Sequence, residues 1–203
     1  MADLADLTPR VTRYVRNCPS LMVHQALSDA AREFCQRTRT YTIEHPLTLS
    51  QNSYEYAIAL PDLDWYEIKW AKIDGKPLDP GRLDGPVNWA DRTDRPLQYA
   101  SIDGESIRFW PRPDQQYTVQ IKLAVSPQLG KTALPAGLYN RYGQEIARGA
   151  AADLLEMEGY PWYNPNMAPR HRTAFASAIQ QAVADRDRNL TSASPSVRMR
   201  PIA

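Results

Sequence analysis

The hydrophobic period of this chain changes twice: it is helical to about residue 40, alternating from about 41 to 131, and helical again to about 189. A helix buries one stripe of its surface, whereas a strand buries every second side chain. Neither pattern can adopt the other structure without turning apolar residues into water. Two helical ends separated by strands must meet to cover their stripes. The order therefore predicts an α+β fold. Helices of 1–40 and 132–189 form a bundle, 41–131 forms an inserted antiparallel β-sandwich or half-barrel lobe, and 190–203 is an extended C-terminal arm. A chain of 203 residues is long enough for one well-buried core, or a core with a satellite lobe.

Leu4, Leu7, Val11, Tyr14 and Val15 recur at helical spacing opposite Arg10, Arg13 and Arg16. Asn17-Cys18-Pro19-Ser20 breaks this helix, and Ser20 is expected to cap the next. There Val23, Leu27, Ala30, Ala31, Phe34 and Cys35 make the apolar stripe, and Asp29, Arg32, Glu33 and Gln36 the wet face. Alternation begins with Tyr41, Ile43 and Leu47, in a strand expected to be interrupted at Pro46. It continues through Tyr54–Leu60, then Tyr66, Ile68 and Trp70, and is cleanest from Tyr117 to Val125. Asp74-Gly75 and Asp103-Gly104 are hairpin turn signals. Between them, 75–98 is rich in proline and aspartate, and reads equally as a solvated excursion or as a contact loop for a neighbouring subunit. The next helix, Tyr139 to Met157, carries Ile146, Ala147, Ala150, Ala151, Leu154 and Met157, with Gly159 placed to end it. Small residues along that stripe permit close helix packing. After the aromatic turn Gly159–Pro165, a last helix points Phe175, Ile179, Ala182 and Val183 inward.

Composition and spacing exclude several chemistries. Twenty-four basic and twenty-three acidic residues leave a net charge of +1, so whole-molecule electrostatics gives no reason to expect strong nucleic-acid or membrane binding. The region 41–131 is mildly acidic and both helical ends mildly basic. Cys18 and Cys35 match no metal spacing and read as reduced small hydrophobes. Met1–Leu7 is too polar for a signal peptide, and no apolar run reaches membrane-spanning length, so a soluble protein is expected. His24, His45 and His171 lie in different elements without ligand spacing. Gly143–Gly149 lacks the lysine of a phosphate loop, and no serine sits in a nucleophile elbow. Asp62 and Asp64 flank a turn, the ordinary home of such residues. Trp65, Tyr66, Trp70, Trp89, Tyr99 and Trp110 crowd the β region. There an excess of acids disfavours nucleic acid, leaving core packing and protein contact. The arm is too poor in apolar residues to fold alone, yet Val197, Met199 and Ile202 alternate with Arg198, Arg200 and Pro201, a pattern that suits docking in a groove.

Three stretches, in order, resemble the head-to-tail adaptor proteins of short-tailed bacteriophages, also called tail tubular protein A. They are the helix Ala26–Thr38 running into the first strand, the Ile73–Leu78 hairpin, and the closing helical pair from Leu134-Pro135 through Gly149–Ala152 and Gly159–Pro165 to Phe175 and Ile179. The resemblance implies a non-enzymatic virion protein made in the host cytoplasm, without cofactor or bound metal. It implies a homo-oligomeric ring, typically a dodecamer, joining the portal to the tail or nozzle, with genomic DNA passing through without sequence-specific binding. Portal docking then falls to Val197, Arg198, Met199, Arg200, Pro201 and Ile202, and subunit packing to the helix bearing Ala147, Ala150, Ala151 and Leu154. The competing readings are a cell-wall or polysaccharide-binding or hydrolysing tail protein that uses the aromatic β lobe, and a tail-tube or neck component that meets no portal.

Overall fold

A computed structural model of the chain describes residues 2–82, 92–101 and 104–188. The N-terminal segment is β1 (Ala2–Asp3), a 3-10 turn (Leu4–Leu7) and α1 (Thr8–Thr12), followed by α2 (Ser20–Thr38). The strands are β2 (Thr42–Leu49), β3 (Glu55–Ala57), β4 (Leu63–Ile73), β5 (Lys76–Pro77), β6 (Asp79–Pro80), β7 (Gln98–Ser101), β8 (Ser106–Trp110), β9 (Tyr117–Pro127) and β10 (Ala133–Leu134). Two long helices close the chain, α3 (Ala136–Leu155) and α4 (Ala168–Asp187). The fold is α+β, as the order of periods predicts.

The N-terminal stripe is buried at Leu4, Leu7, Val11 and Val15, but it is not one helix. Pro9 sits in the first turn of α1, where its missing N–H costs nothing, and the helix ends five residues after it starts. Tyr14 leaves the stripe, half-exposed with its ring edge-on to His171 at 4.3 Å. In α2 all six expected stripe residues are buried. Ser20 does not cap this helix: Pro19 holds that position and no side chain bonds the first amides. Ser28, absent from the expected stripe, is buried because its hydroxyl donates to the Lys131 carbonyl and accepts from the Gly130 amide.

Among the described residues the strands make two four-stranded sheets, ordered β2-β9-β4-β5 and β3-β8-β7-β6, and a ribbon of β1 with β10. The pairing is not wholly antiparallel, since β6 runs parallel to β7. The Asp74-Gly75 turn closes β4 on β5 with both residues at positive φ. The second turn signal falls between the antiparallel strands β7 and β8, with Gly104 at φ 75° and Asp103 outside the described residues. Pro46 does not interrupt β2. The Val125 amide donates to the Tyr41 carbonyl and the register runs unbroken from Thr42 to Leu49, so the odd residues of β2 bond to β9. Antiparallel alternation then turns Pro46 to the open edge, where no N–H is needed. The same alternation puts Ile43, Leu47 and Leu49 inward and leaves Glu44, Pro46 and Thr48 exposed. In β4, register shifts between Trp65 and Glu67 and between Ile68 and Trp70 break the simple alternation. Trp65 turns toward the second sheet, donating to the Ile58 carbonyl, while Tyr66 donates to the Cys35 carbonyl on α2.

One continuous buried cluster joins helices and sheets, with Phe34 of α2 against Tyr142 and Phe175. Side chains of this size contribute roughly 1.5–3 kcal/mol each when fully buried. Helix α3 stops at Leu155, before Gly159, because the following loop satisfies its last carbonyls: Met157 donates to Leu154 and Asn164 to Leu155. Gly159, at φ 83°, shapes that loop instead.

Candidate interaction surfaces

The two carboxylates weighed for acid–base work are both ion-paired. Asp62 pairs with Lys131 at 2.6 Å and Asp64 with Arg32 at 2.6 Å, and Arg32 also donates to the Pro127 carbonyl. The two aspartates tie the β4 turn to the segment before α3 and to α2. Among the described residues no group of three His, Cys, Asp or Glu side chains could hold a metal ion, and no helix is long and apolar enough to cross a membrane. Cys35 is buried, which pushes its thiol up to about 12, while the half-buried Cys18 thiol is raised in the same way. Both are unpaired.

The aromatic residues of the β region are largely spent inside. Trp65, Tyr99 and Trp110 are buried, Tyr66 is held by its hydroxyl, and Trp70 lies under the Lys72 ammonium at 4.3 Å. Trp89 lies outside the described residues. Among the described residues, those that remain do not form the continuous exposed platform that stacking on bases or sugars needs.

A cleft of about 910 Å³ opens where the start of α3 and the end of α4 meet the first sheet, lined by Tyr41, Trp70, Leu138, Arg141 and Asp185 among others. Its cations are matched. Arg39 and Lys69 share Glu67, Lys122 faces Glu44, Arg141 reaches Asp185, and Arg186 bonds Asp187. Tyr142 donates to Asp185, and its phenol is raised by burial first and by that bond second. Most of these groups are partly exposed, so each pair stabilises by about 1 kcal/mol at most. The cleft is a seam between helices and sheet with its charges already satisfied.

A second concavity, of about 240 Å³, is different. Arg10, Arg13, Tyr14, Gln144, Ala147 and Arg148 line it, brought together where the N-terminal turn lies along α3. On its flank Tyr14 contacts His171 of α4. The His171 imidazole is held below its ordinary value by burial, then by the nearby Arg148 and Arg170 cations. Among the described residues Arg10, Arg13 and Arg170 form no ion pair, and Arg148 has only Glu145 at 4.0 Å. Sequence reading placed Arg10 and Arg13 on a wet helix face and missed the cluster, because its members are more than a hundred residues apart.

The residues assigned to subunit packing lie in the interior of the helical body. Ala147, Ala150, Ala151 and Leu154 are all buried, at most 2% exposed, so the small-residue stripe of α3 packs within its own chain. A Cβ on Gly149 would stand 3.0 Å from the Phe175 ring of α4, and one on Gly143 would stand 3.5 Å from Leu7. The arm residues Val197, Arg198, Met199, Arg200, Pro201 and Ile202 lie outside the described residues.

The sequence profile of the SU10 adaptor protein family matches residues 2–200, nearly the whole chain, and the chain belongs to that family. No curated protein matches it. Its coarse assignment is therefore that of a phage structural adaptor.

Proposed function

We propose that this protein joins head to tail in a short-tailed phage, in the manner of tail tubular protein A. Copies form a ring beneath the portal, with twelve-fold symmetry the expected match to a portal ring, and the ring receives the tail or nozzle and continues the DNA channel. The observation that carries this reading is the adaptor-family match across 2–200, which spans both helical ends, the β region and most of the arm. The paired charges of the cleft and the inward-turned aromatic residues support a structural role. They disfavour a polysaccharide-binding or hydrolysing role for the β region, because the platform such a role needs is buried.

In this reading the helical body and the β region divide the work along the head–tail axis, and residues 190–203 dock onto the portal through Val197–Ile202. Because the α3 stripe is used internally, ring neighbours meet on other faces. Deleting residues 194–203 tests the docking role. The truncated protein is expected to keep its circular dichroism and melting temperature and to lose capture by immobilised portal. Equal capture of both forms refutes it. Imaging of intact particles tests the wider reading, which requires a ring of this protein between portal and tail.

A further inference from the structure

Among the described residues, an arginine face carries three cations in no ion pair and a fourth with one distant partner. Arg10 and Arg13, from α1 and the turn after it, and Arg148, from α3, line the concavity, while Arg170 of α4 stands on its flank beside His171. They reach the same neighbourhood because Leu7 and Val11 are buried against α3 and Tyr14 stands against His171. Arg10, Arg13 and Arg170 are exposed, and among the described residues the one ion pair on this face is Arg148 with Glu145, at 4.0 Å. Four guanidinium groups held this way repel one another unless something anionic lies over them.

Two features indicate what that is. A protein partner anchors through a desolvated apolar centre ringed by polar groups, and this face has one half-exposed Tyr14 in place of such a centre. Arg10, Arg13 and Arg148 line the concavity and Arg170 stands on its flank, a spread suited to several anionic groups in a row more than to one carboxylate. Guanidinium forks match phosphate oxygens in pairs.

We propose that this face holds the sugar-phosphate backbone of double-stranded DNA, without reading its sequence. The inference rests on the proposed place of the protein around the DNA channel. There an unpaired arginine face on each copy would make a ring of weak backbone contacts on the passing duplex. Tyr14 and Gln144 then supply hydroxyl and amide donors beside the guanidinium groups, and His171 packs beneath Tyr14.

The test is fluorescence anisotropy of the full-length protein with labelled 20-base-pair duplexes of two unrelated sequences, from 50 to 200 mM NaCl. Both duplexes should bind alike. Backbone binding through about four phosphates gives a log–log salt slope of roughly −3.6, so affinity should fall roughly 100-fold across that range. Arg10→Gln, Arg13→Gln, Arg148→Gln and Arg170→Gln should each reduce the slope by about 0.9, and the quadruple variant should lose binding while melting normally. Three results would overturn the inference: no binding by the wild type at 50 mM NaCl, unchanged slope and affinity in the quadruple variant, or displacement of the duplex by a polyglutamate peptide at equal charge, which makes this a surface for an acidic protein. Locating the protein in purified particles separates the two claims. A protein present at the head–tail junction that fails to bind DNA sinks the inference alone, while one that binds DNA but is missing from particles sinks the proposed function.

Discussion

Replacing Gly149 by alanine sets two known effects against each other at one atom. In a helix interior alanine is favoured over glycine by about 1 kcal/mol. Here, however, the new methyl would lie 3.0 Å from Cγ and Cδ2 of Phe175 and 3.1 Å from Cδ1, well inside the ordinary carbon–carbon separation of roughly 3.5–4.0 Å. The ring must retreat by about half an ångström, yet Phe175 is 1% exposed and packed against Phe34. Overpacking of this kind costs about 1–3 kcal/mol, which leaves a net loss of roughly 1 kcal/mol. Gly143, on the same helix, is the control, because its added methyl meets Leu7 at an ordinary 3.5 Å. Gly143→Ala should therefore gain up to about 1 kcal/mol. For a chain of this size the two variants should differ by roughly 4–8 °C in melting temperature, measured by circular dichroism and checked by urea unfolding. In a Phe175→Leu background the sign at Gly149 should reverse, since the smaller side chain gives way. If Gly149→Ala melts at or above Gly143→Ala in the parent protein, close approach of α3 to α4 is not what the small residues serve.

Three further outcomes follow from the described contacts. The His171 imidazole is held below its unfolded value by burial, Arg148 and Arg170. Its contribution is therefore full above about pH 6.5 and is lost progressively as pH falls from there through the lower folded-state value, because the unfolded chain binds the proton more readily in that window. His171→Gln should flatten this part of the urea-unfolding profile between pH 7.5 and 5, and Arg148→Gln or Arg170→Gln should raise the histidine titration seen by NMR. Ellman's reagent should find Cys18 reactive and Cys35 silent in native protein at pH 8, with both reacting in urea, because Cys35 is buried and its thiol stands at about 12. A double-mutant cycle on Arg32 and Asp64, which meet at 2.6 Å while partly exposed, should return a coupling of about 0.5–1 kcal/mol. A coupling near zero would make the contact incidental.

Much of this architecture was legible in the residues because period and burial are the same physics seen twice. The stripe of α2 is buried at every expected position, β9 alternates as written as far as Leu123, beyond which Ala124 and Ser126 are buried too, and Asp74-Gly75 turns where its backbone preference requires. What was not legible depends on partners distant in sequence. The two-residue strands β5 and β6 are too short to show a period. Pro46 reads as a break until β9 is known to lie on one side of β2 only. Gly159 reads as a helix stop until the loop carrying Asn164 is seen closing α3 four residues earlier. The α3 stripe announced close packing correctly, but nothing in its composition says whether the surface approached belongs to the same molecule or to another. The arginine face has no local signature at all, since it exists only where three segments meet.

The open side of β2 carries one further consequence. Proteins gathered in many copies at high local concentration risk fusing their sheets through unpaired backbone. A strand eight residues long would invite such joining, but Pro46 offers no hydrogen to a visiting strand and places its ring where that strand would lie. Any approach to this edge is thereby left to side chains, whose fit can be specific and undone, and the β2 border is guarded against amyloid-like growth.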